Sequence, residues 1–222
     1  MDHARILDRE AEGLLLIAPL ASASRARPRL RALYRDHPAM MPEAGRDAFL
    51  TGRAMVTRGM RLLGMTPQVV DEEGGAWPEG LTGAVSHGGG QVGVWLRRGG
   101  AESLGLDLRA IGDEAQGLSQ HELHLLSQQP GLARMRPEER RAGAISAKHA
   151  LARALAPQFG VAVSPAALMV RASARSGISL GLADAALSGP GVEGGFRVEL
   201  RVMPGLVLTR VAVGRQARLR LC

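Results

Sequence analysis

Aromatic side chains are nearly missing from this 222-residue sequence: two Trp, one Tyr and three Phe. Proteins that hold single-stranded nucleic acid by base stacking need several rings on one surface, so that mode of binding is not expected. Lysine is scarcer still. The 28 basic residues are 27 arginines and one lysine, Lys148. Cysteine occurs once, as Cys222, which excludes an intrachain disulfide and a cysteine-only metal site and fits a reducing compartment. Long apolar runs are also lacking. Residues 14–20 are apolar but are broken by Pro19, and a bilayer-spanning helix needs about 20 such residues. The beginning, Met1-Asp2-His3-Ala4-Arg5, does not read as a signal peptide. A cytoplasmic protein with no membrane role is expected.

What is present supports a real core. Hydrophobic residues make up 45% of the chain, and the 29 glycines and 12 prolines follow no collagen-like period. The length suits one compact domain or two small, closely joined ones. The net charge of +7 points to an acidic partner: a nucleic acid, an acidic protein or a phosphorylated small molecule. Nucleic acid is the least favoured of these, because no helix-turn-helix or RNP pattern accompanies the arginines.

The periodicity reads as α+β. Residues 13–20 form a short buried strand. Residues 45–64 form a helix with Phe49, Val56, Met60 and Leu63 on one face and Arg53 on the same face. Short strands are expected at 81–86, 91–96 and 103–108, separated by glycine turns, two or three of them forming a small antiparallel sheet. Helices follow at 117–128 and 137–156, the second opened by Pro137 and closed by Pro157. Alternating runs at 196–202 and 207–213, joined through Pro204-Gly205, read as a hairpin. Neither a strand–GxGxxG–helix unit nor a GxxxxGK[ST] loop occurs.

Four stretches carry something more specific. Arg46-Asp47-Ala48-Phe49-Leu50-Thr51-Gly52-Arg53-Ala54 opens the first helix. Trp77-Pro78-Glu79-Gly80-Leu81-Thr82-Gly83-Ala84-Val85-Ser86-His87 follows, then Gly105-Leu106-Asp107-Leu108-Arg109. The last is Ile145-Ser146-Ala147-Lys148-His149-Ala150-Leu151-Ala152-Arg153. Their order and spacing resemble the 4'-phosphopantetheinyl transferases, in particular the enterobactin-synthase type, over roughly half the chain. That resemblance implies two similar halves, 1–100 and 101–222, each a long helix on a small, mainly antiparallel sheet. Together they would form one compact unit with a cleft for coenzyme A. It implies transfer of the phosphopantetheine arm of coenzyme A to a serine of an acyl or peptidyl carrier protein. The second product would be 3',5'-bisphosphoadenosine, with magnesium held by three acidic residues.

Carried over residue by residue, Arg53 falls on a coenzyme A phosphate contact, where a planar guanidinium suits a doubly charged oxyanion. Ser86 and His87 fall on the Ser-His segment, whose imidazole contacts the nucleotide 3'-phosphate. Ala84 stands where the family usually has serine. Asp107 matches the first metal carboxylate, Lys148 the lysine beside the catalytic glutamate, and Arg153 a second basic position. Two glutamates of the pattern are replaced, by Arg109 and His149. Asp107 is thus the one acidic ligand kept. Magnesium prefers an octahedral shell of hard oxygens, so ordinary magnesium binding is doubtful.

Three functions follow from this pattern. The first is a divergent transferase, in which Arg109 supplies charge to the pyrophosphate and His149 accepts the serine proton. The second is a protein that binds coenzyme A or a related nucleotide and has lost or changed the transfer chemistry. The third is a non-catalytic partner of a carrier protein or synthase, with Asp107 and Arg109 paired. Three further features remain. Ser119-Gln120-His121-Glu122 resembles a helix-opening S-x-x-E pattern, in which Glu122 supports a basic residue or simply faces solvent. Gly88-Gly89-Gly90 reads as a tight turn or as a phosphate-facing loop. The basic stretch Arg25-Ala26-Arg27-Pro28-Arg29-Leu30-Arg31 reads as a solvated loop or an acidic-protein contact.

Overall fold

The computed structural model describes residues 4–20, 43–70, 77–100, 102–112, 117–172, 178–183 and 195–214. The basic stretch at 25–31, the acidic run at 71–75 and Cys222 lie outside them. In chain order the elements are β1 (Arg5–Arg9), β2 (Gly13–Pro19), α1 (Glu43–Leu62), β3 (Leu81–Gly88), β4 (Gln91–Arg98), β5 (Glu102–Ala110), α2 (Gln120–Gln128), α3 (Pro137–Phe159), β6 (Leu168–Arg171), β7 (Ile178–Leu182), β8 (Phe196–Met203) and β9 (Leu206–Gly214). The protein is α+β, and the chain divides into two compact units, Met1–Gly100 and Ala101–Cys222. Each sets a long helix against an antiparallel sheet.

The first unit holds a four-stranded sheet in the order β1-β2-β4-β3. Gly89 and Gly90 turn β3 into β4 with φ values of 54° and 73°, a left-handed pair that glycine adopts without steric cost and that matches the twist of a two-residue hairpin. Small residues let α1 lie close on this sheet. A Cβ on Gly52 would stand 2.9 Å from Val85 Cγ1, and one on Gly59 would stand 2.5 Å from Leu96 Cδ1. Met55, Val56 and Met60 fill the rest of the interface with Leu14, Leu16, Val92, Val94 and Leu96. Each such large side chain contributes about 1.5–3 kcal/mol by leaving water. The Thr51 hydroxyl donates to Leu20 O at 2.8 Å and ties the helix to the end of β2. Strand β1 shows no alternating pattern. Its Arg-Ile-Leu-Asp-Arg sequence is that of a charged edge strand, and its register shifts between Ile6 and Asp8.

The second unit holds five strands in the order β5-β9-β8-β7-β6. Here the structure decides which of the three short strands pair. The strand at 103–108 does not join the strands at 81–86 and 91–96. It pairs with β9, Asp107 opposite Thr209, more than a hundred residues along the chain. Local glycine turns gave no hint of that long-range pairing. Helix α3 also continues past Pro157 to Phe159, where Gly160 closes it at φ 68° by donating to Ala156 O. Pro157 removes one N–H bond and crowds the preceding turn, but it stands in the last turn, which the left-handed glycine then closes. The inner side of α3 is largely alanine: Ala144, Ala147, Ala150 and Ala154 are fully buried. These short side chains let the helix sit on β5 and β9, with Leu151 and Leu155 turned into a core that includes Leu168, Ile178, Leu180 and Val198.

Candidate functional site

In the first unit Arg53 is a buried arginine, only 2% exposed. Its guanidinium carbon stands 4.7 Å from the centroid of the Phe49 ring one turn earlier, a cation–π distance. The helical repeat therefore carries Arg53 into the interior. Ser86 and His87 are consecutive on β3. Ser86 is buried, opposite Gly93, and His87 is exposed, opposite Val92. Strand alternation sends them to opposite faces. Val85 meets α1 at Gly52, so His87 shares the helix-facing side of the sheet and Ser86 takes the other. The Trp77 ring lies over Gly83, where a Cβ would collide with it. The Trp and Gly of that motif therefore have a packing role of their own.

In the second unit Gly105 has the same function. A Cβ there would run into the carbonyl oxygen of Ala150. The close approach brings one face of α3 over Asp107, and Ser146, His149 and Arg153 follow one another at helical spacing along it. Ser146 Oγ and Thr209 Oγ1 share a hydrogen bond of 2.8 Å in the buried interior. Arg153 Nη1 donates to Leu106 O at 2.7 Å and pairs with Asp107 Oδ1 at 3.1 Å. Burial pushes the Asp107 carboxyl above its ordinary value. Arg153, the Ser146 hydroxyl, His149 and Arg109 offset this only in part. Burial likewise pushes the His149 imidazole down. Asp107 favours its charged form, while Arg109 and Arg153 oppose it. Among the described residues the cluster is therefore one carboxylate, one imidazole and two guanidiniums.

Lys148 is turned away from that cluster. Successive residues of an α-helix point about 100° apart, and Lys148 faces α2 instead. Its Nζ sits 2.7 Å from Glu122 Oε1, with both side chains at most 7% exposed, and donates to Gly117 O at 3.1 Å. Glu122 is fully engaged. Oε1 also accepts from Val170 N at 3.0 Å, and Oε2 accepts from Ser119 N at 2.9 Å and Ser119 Oγ at 3.0 Å. Ser119 and Glu122 thus form the reciprocal cap of α2. Burial opposes the Glu122 charge, yet the hydrogen bonds from Lys148, Ser119 and Val170 hold its carboxyl below the ordinary value.

The structure thus brings Asp107, Arg109, His149 and Arg153 together and sets Lys148 apart. Two contributors escaped sequence reasoning. Thr209 depends on the β5–β9 register, which no local signal carries. The Lys148–Glu122 bond was half visible, since the capping pattern pointed to Glu122 but not to which base it holds.

The described donors around Asp107 do not fit magnesium. Among the described residues no group of three or more His, Cys, Asp or Glu side chains is placed to hold a metal ion. Asp107, the one carboxylate of the cluster, is engaged by a guanidinium. An imidazole and two guanidiniums cannot supply the hard oxygens that an octahedral magnesium shell requires. Among the described residues, no helix is long and apolar enough to cross a membrane. No protein-family model matches the sequence, and no curated protein matches it.

Proposed function

We propose that the protein transfers the 4'-phosphopantetheine arm of coenzyme A to a serine of an acyl or peptidyl carrier protein, in the cytoplasm. The observation that carries this reading is His149. It is half-buried with its pKa held below the ordinary value, so it is neutral near pH 7 and able to take a proton. It lies in the field of one carboxylate, Asp107, and two guanidiniums, Arg109 and Arg153.

In the proposed reaction the carrier serine Oγ bonds to the phosphorus that bears the pantetheine arm, and its proton passes to His149. The P–O bond to the adenylate phosphate breaks, and its electron pair leaves on 3',5'-bisphosphoadenosine. Asp107 stabilises the imidazolium as it forms. Arg109 answers charge growing on the pyrophosphate oxygens. Lys148 acts as a positioning residue, holding α2 against α3 through Glu122. Ser86 and His87 leave β3 on opposite faces, so single substitutions of Arg53, Ser86 and His87 decide which of them touches a nucleotide phosphate.

The Arg153–Asp107 pair favours a second reading, binding of coenzyme A or a related nucleotide without transfer, because it engages one oxygen of the Asp107 carboxylate. A non-catalytic carrier-protein or synthase partner is the third. Incubating the protein with coenzyme A and several apo-carrier proteins, with magnesium and with EDTA, separates them by intact mass. The expected result is a phosphopantetheine increment on the carrier. Coenzyme A binding without an increment under any metal condition refutes transfer and selects the second reading. Carrier binding without coenzyme A binding selects the third.

A further inference from the structure

The second unit carries a cation of its own where the resemblance calls for a metal. We propose that Arg153, anchored on Asp107 and on the Leu106 carbonyl, is a fixed internal counter-charge that lets this unit bind a pyrophosphate-type anion without any divalent ion. The choice of ligand rests on the reading under Proposed function, whereas the geometry does not depend on it.

One nitrogen of Arg153, Nη1, makes both anchoring bonds, at 2.7 Å to Leu106 O and 3.1 Å to Asp107 Oδ1. The carboxylate is only 6% exposed, while the Arg153 side chain is 48% exposed. The guanidinium is therefore held from beneath by a buried acceptor pair and reaches the surface with its plane already oriented. Preorganisation of this kind removes the rotamer cost that a long, mobile side chain meets on binding. A guanidinium so held offers planar, charge-assisted donors to a phosphate oxygen. His149 lies one turn earlier on the same helix. Arg109, two residues beyond Asp107 on β5, lies close enough for its charge to act on both Asp107 and His149.

A divalent ion on Asp107 would have to share the carboxylate with Arg153 and sit in the field of a second guanidinium, Arg109. Both requirements act against it, since like charges a few ångströms apart in a partly desolvated site repel strongly. The same carboxylate that would hold a metal elsewhere here orients an arginine.

The experiment is calorimetric titration of the full chain with inorganic pyrophosphate in the presence of EDTA. Saturable binding is expected without metal. Arg153→Gln should weaken it at least tenfold. Arg141→Gln, an exposed charge near the start of α3, should change it less than twofold. Binding that appears only after Mn²⁺ is added overturns the proposal on the wild-type protein alone. An unchanged affinity in Arg153→Gln, or an equal loss in Arg141→Gln, overturns it as well. Metal-free pyrophosphate binding without carrier modification would remove the transferase reading and leave this one. Transfer that requires a divalent ion would do the reverse.

Discussion

Replacing Lys148 with methionine tests the separation of the two faces of α3. Methionine keeps most of the volume and apolar length of the lysine and removes the ammonium. The Glu122 carboxylate would then keep three hydrogen bonds, from Val170 N, Ser119 N and Ser119 Oγ, and lose the one charged donor at 2.7 Å. Breaking a buried ion pair from one side costs about 3–5 kcal/mol. The surviving neutral donors place this case near the lower end, about 3 kcal/mol. The assay is urea unfolding at pH 7, followed by far-UV circular dichroism. Adding Glu122→Gln to Lys148→Met should restore part of the loss at most, because no buried charge remains and the amide oxygen keeps the Ser119 bonds, while its NH2 cannot accept from Val170 N.

The pH dependence has a definite sign. The native Glu122 carboxyl titrates below its ordinary value near 4.5. Its contribution to stability is therefore present above that value and lost as pH falls through the native pKa. The difference between wild type and Lys148→Met should shrink as the pH is lowered from 5. A cost under about 1 kcal/mol at pH 7 would refute the assignment of Lys148 to a buried structural pair.

Gly105→Ala should destabilise the protein by 3 kcal/mol or more, on the order of a severe overpacking change, because the new methyl meets the backbone of α3 rather than a movable side chain. Thermal unfolding checks this, and a change below about 1 kcal/mol would contradict the close helix–strand approach. Asp107 is raised above 3.8 in the fold, so its own contribution to stability falls as pH climbs from about 4 through the native pKa. The stability of Asp107→Asn relative to wild type should therefore rise between pH 4 and 7 in urea unfolding, and a difference that does not change with pH would contradict the raised Asp107 carboxyl. His149→Gln should lower the transfer rate by roughly 100-fold or more while leaving coenzyme A binding within a few fold. In the wild type the rate should rise from acid pH with a midpoint below 6.5, in keeping with the depressed imidazole. A midpoint above 6.5 would exclude His149 as the proton acceptor.

Much of the fold was legible because its signals are local. The helices α1 and α3, the hairpin at Gly89-Gly90 and the β8–β9 hairpin each follow from a periodicity or a turn that a window of a dozen residues contains. Strand β1 was missed because a charged edge strand shows no apolar alternation. Strands β6 and β7 were missed because they are only four and five residues long. The site was legible as a set of residues but not as an arrangement. Lys148 and His149 are adjacent in sequence, yet one faces Glu122 and the other faces Asp107, since a helix separates neighbours that a motif writes side by side. Ser86 and His87 are divided by a strand in the same way.

By itself the sequence determined the α+β composition, the small residues at Gly52, Gly59 and Gly105 that bring helix and sheet together, and the departures at Arg109 and His149. These are properties of residue type and spacing. Only the tertiary structure decided which charges meet. Arg153 and not Arg109 holds Asp107, and Glu122 and not the Asp107 cluster holds the single lysine. Ion pairing depends on distances of a few ångströms across elements far apart in the chain. Those distances are set by the β5–β9 register and by the depth at which an alanine-lined helix settles on a glycine.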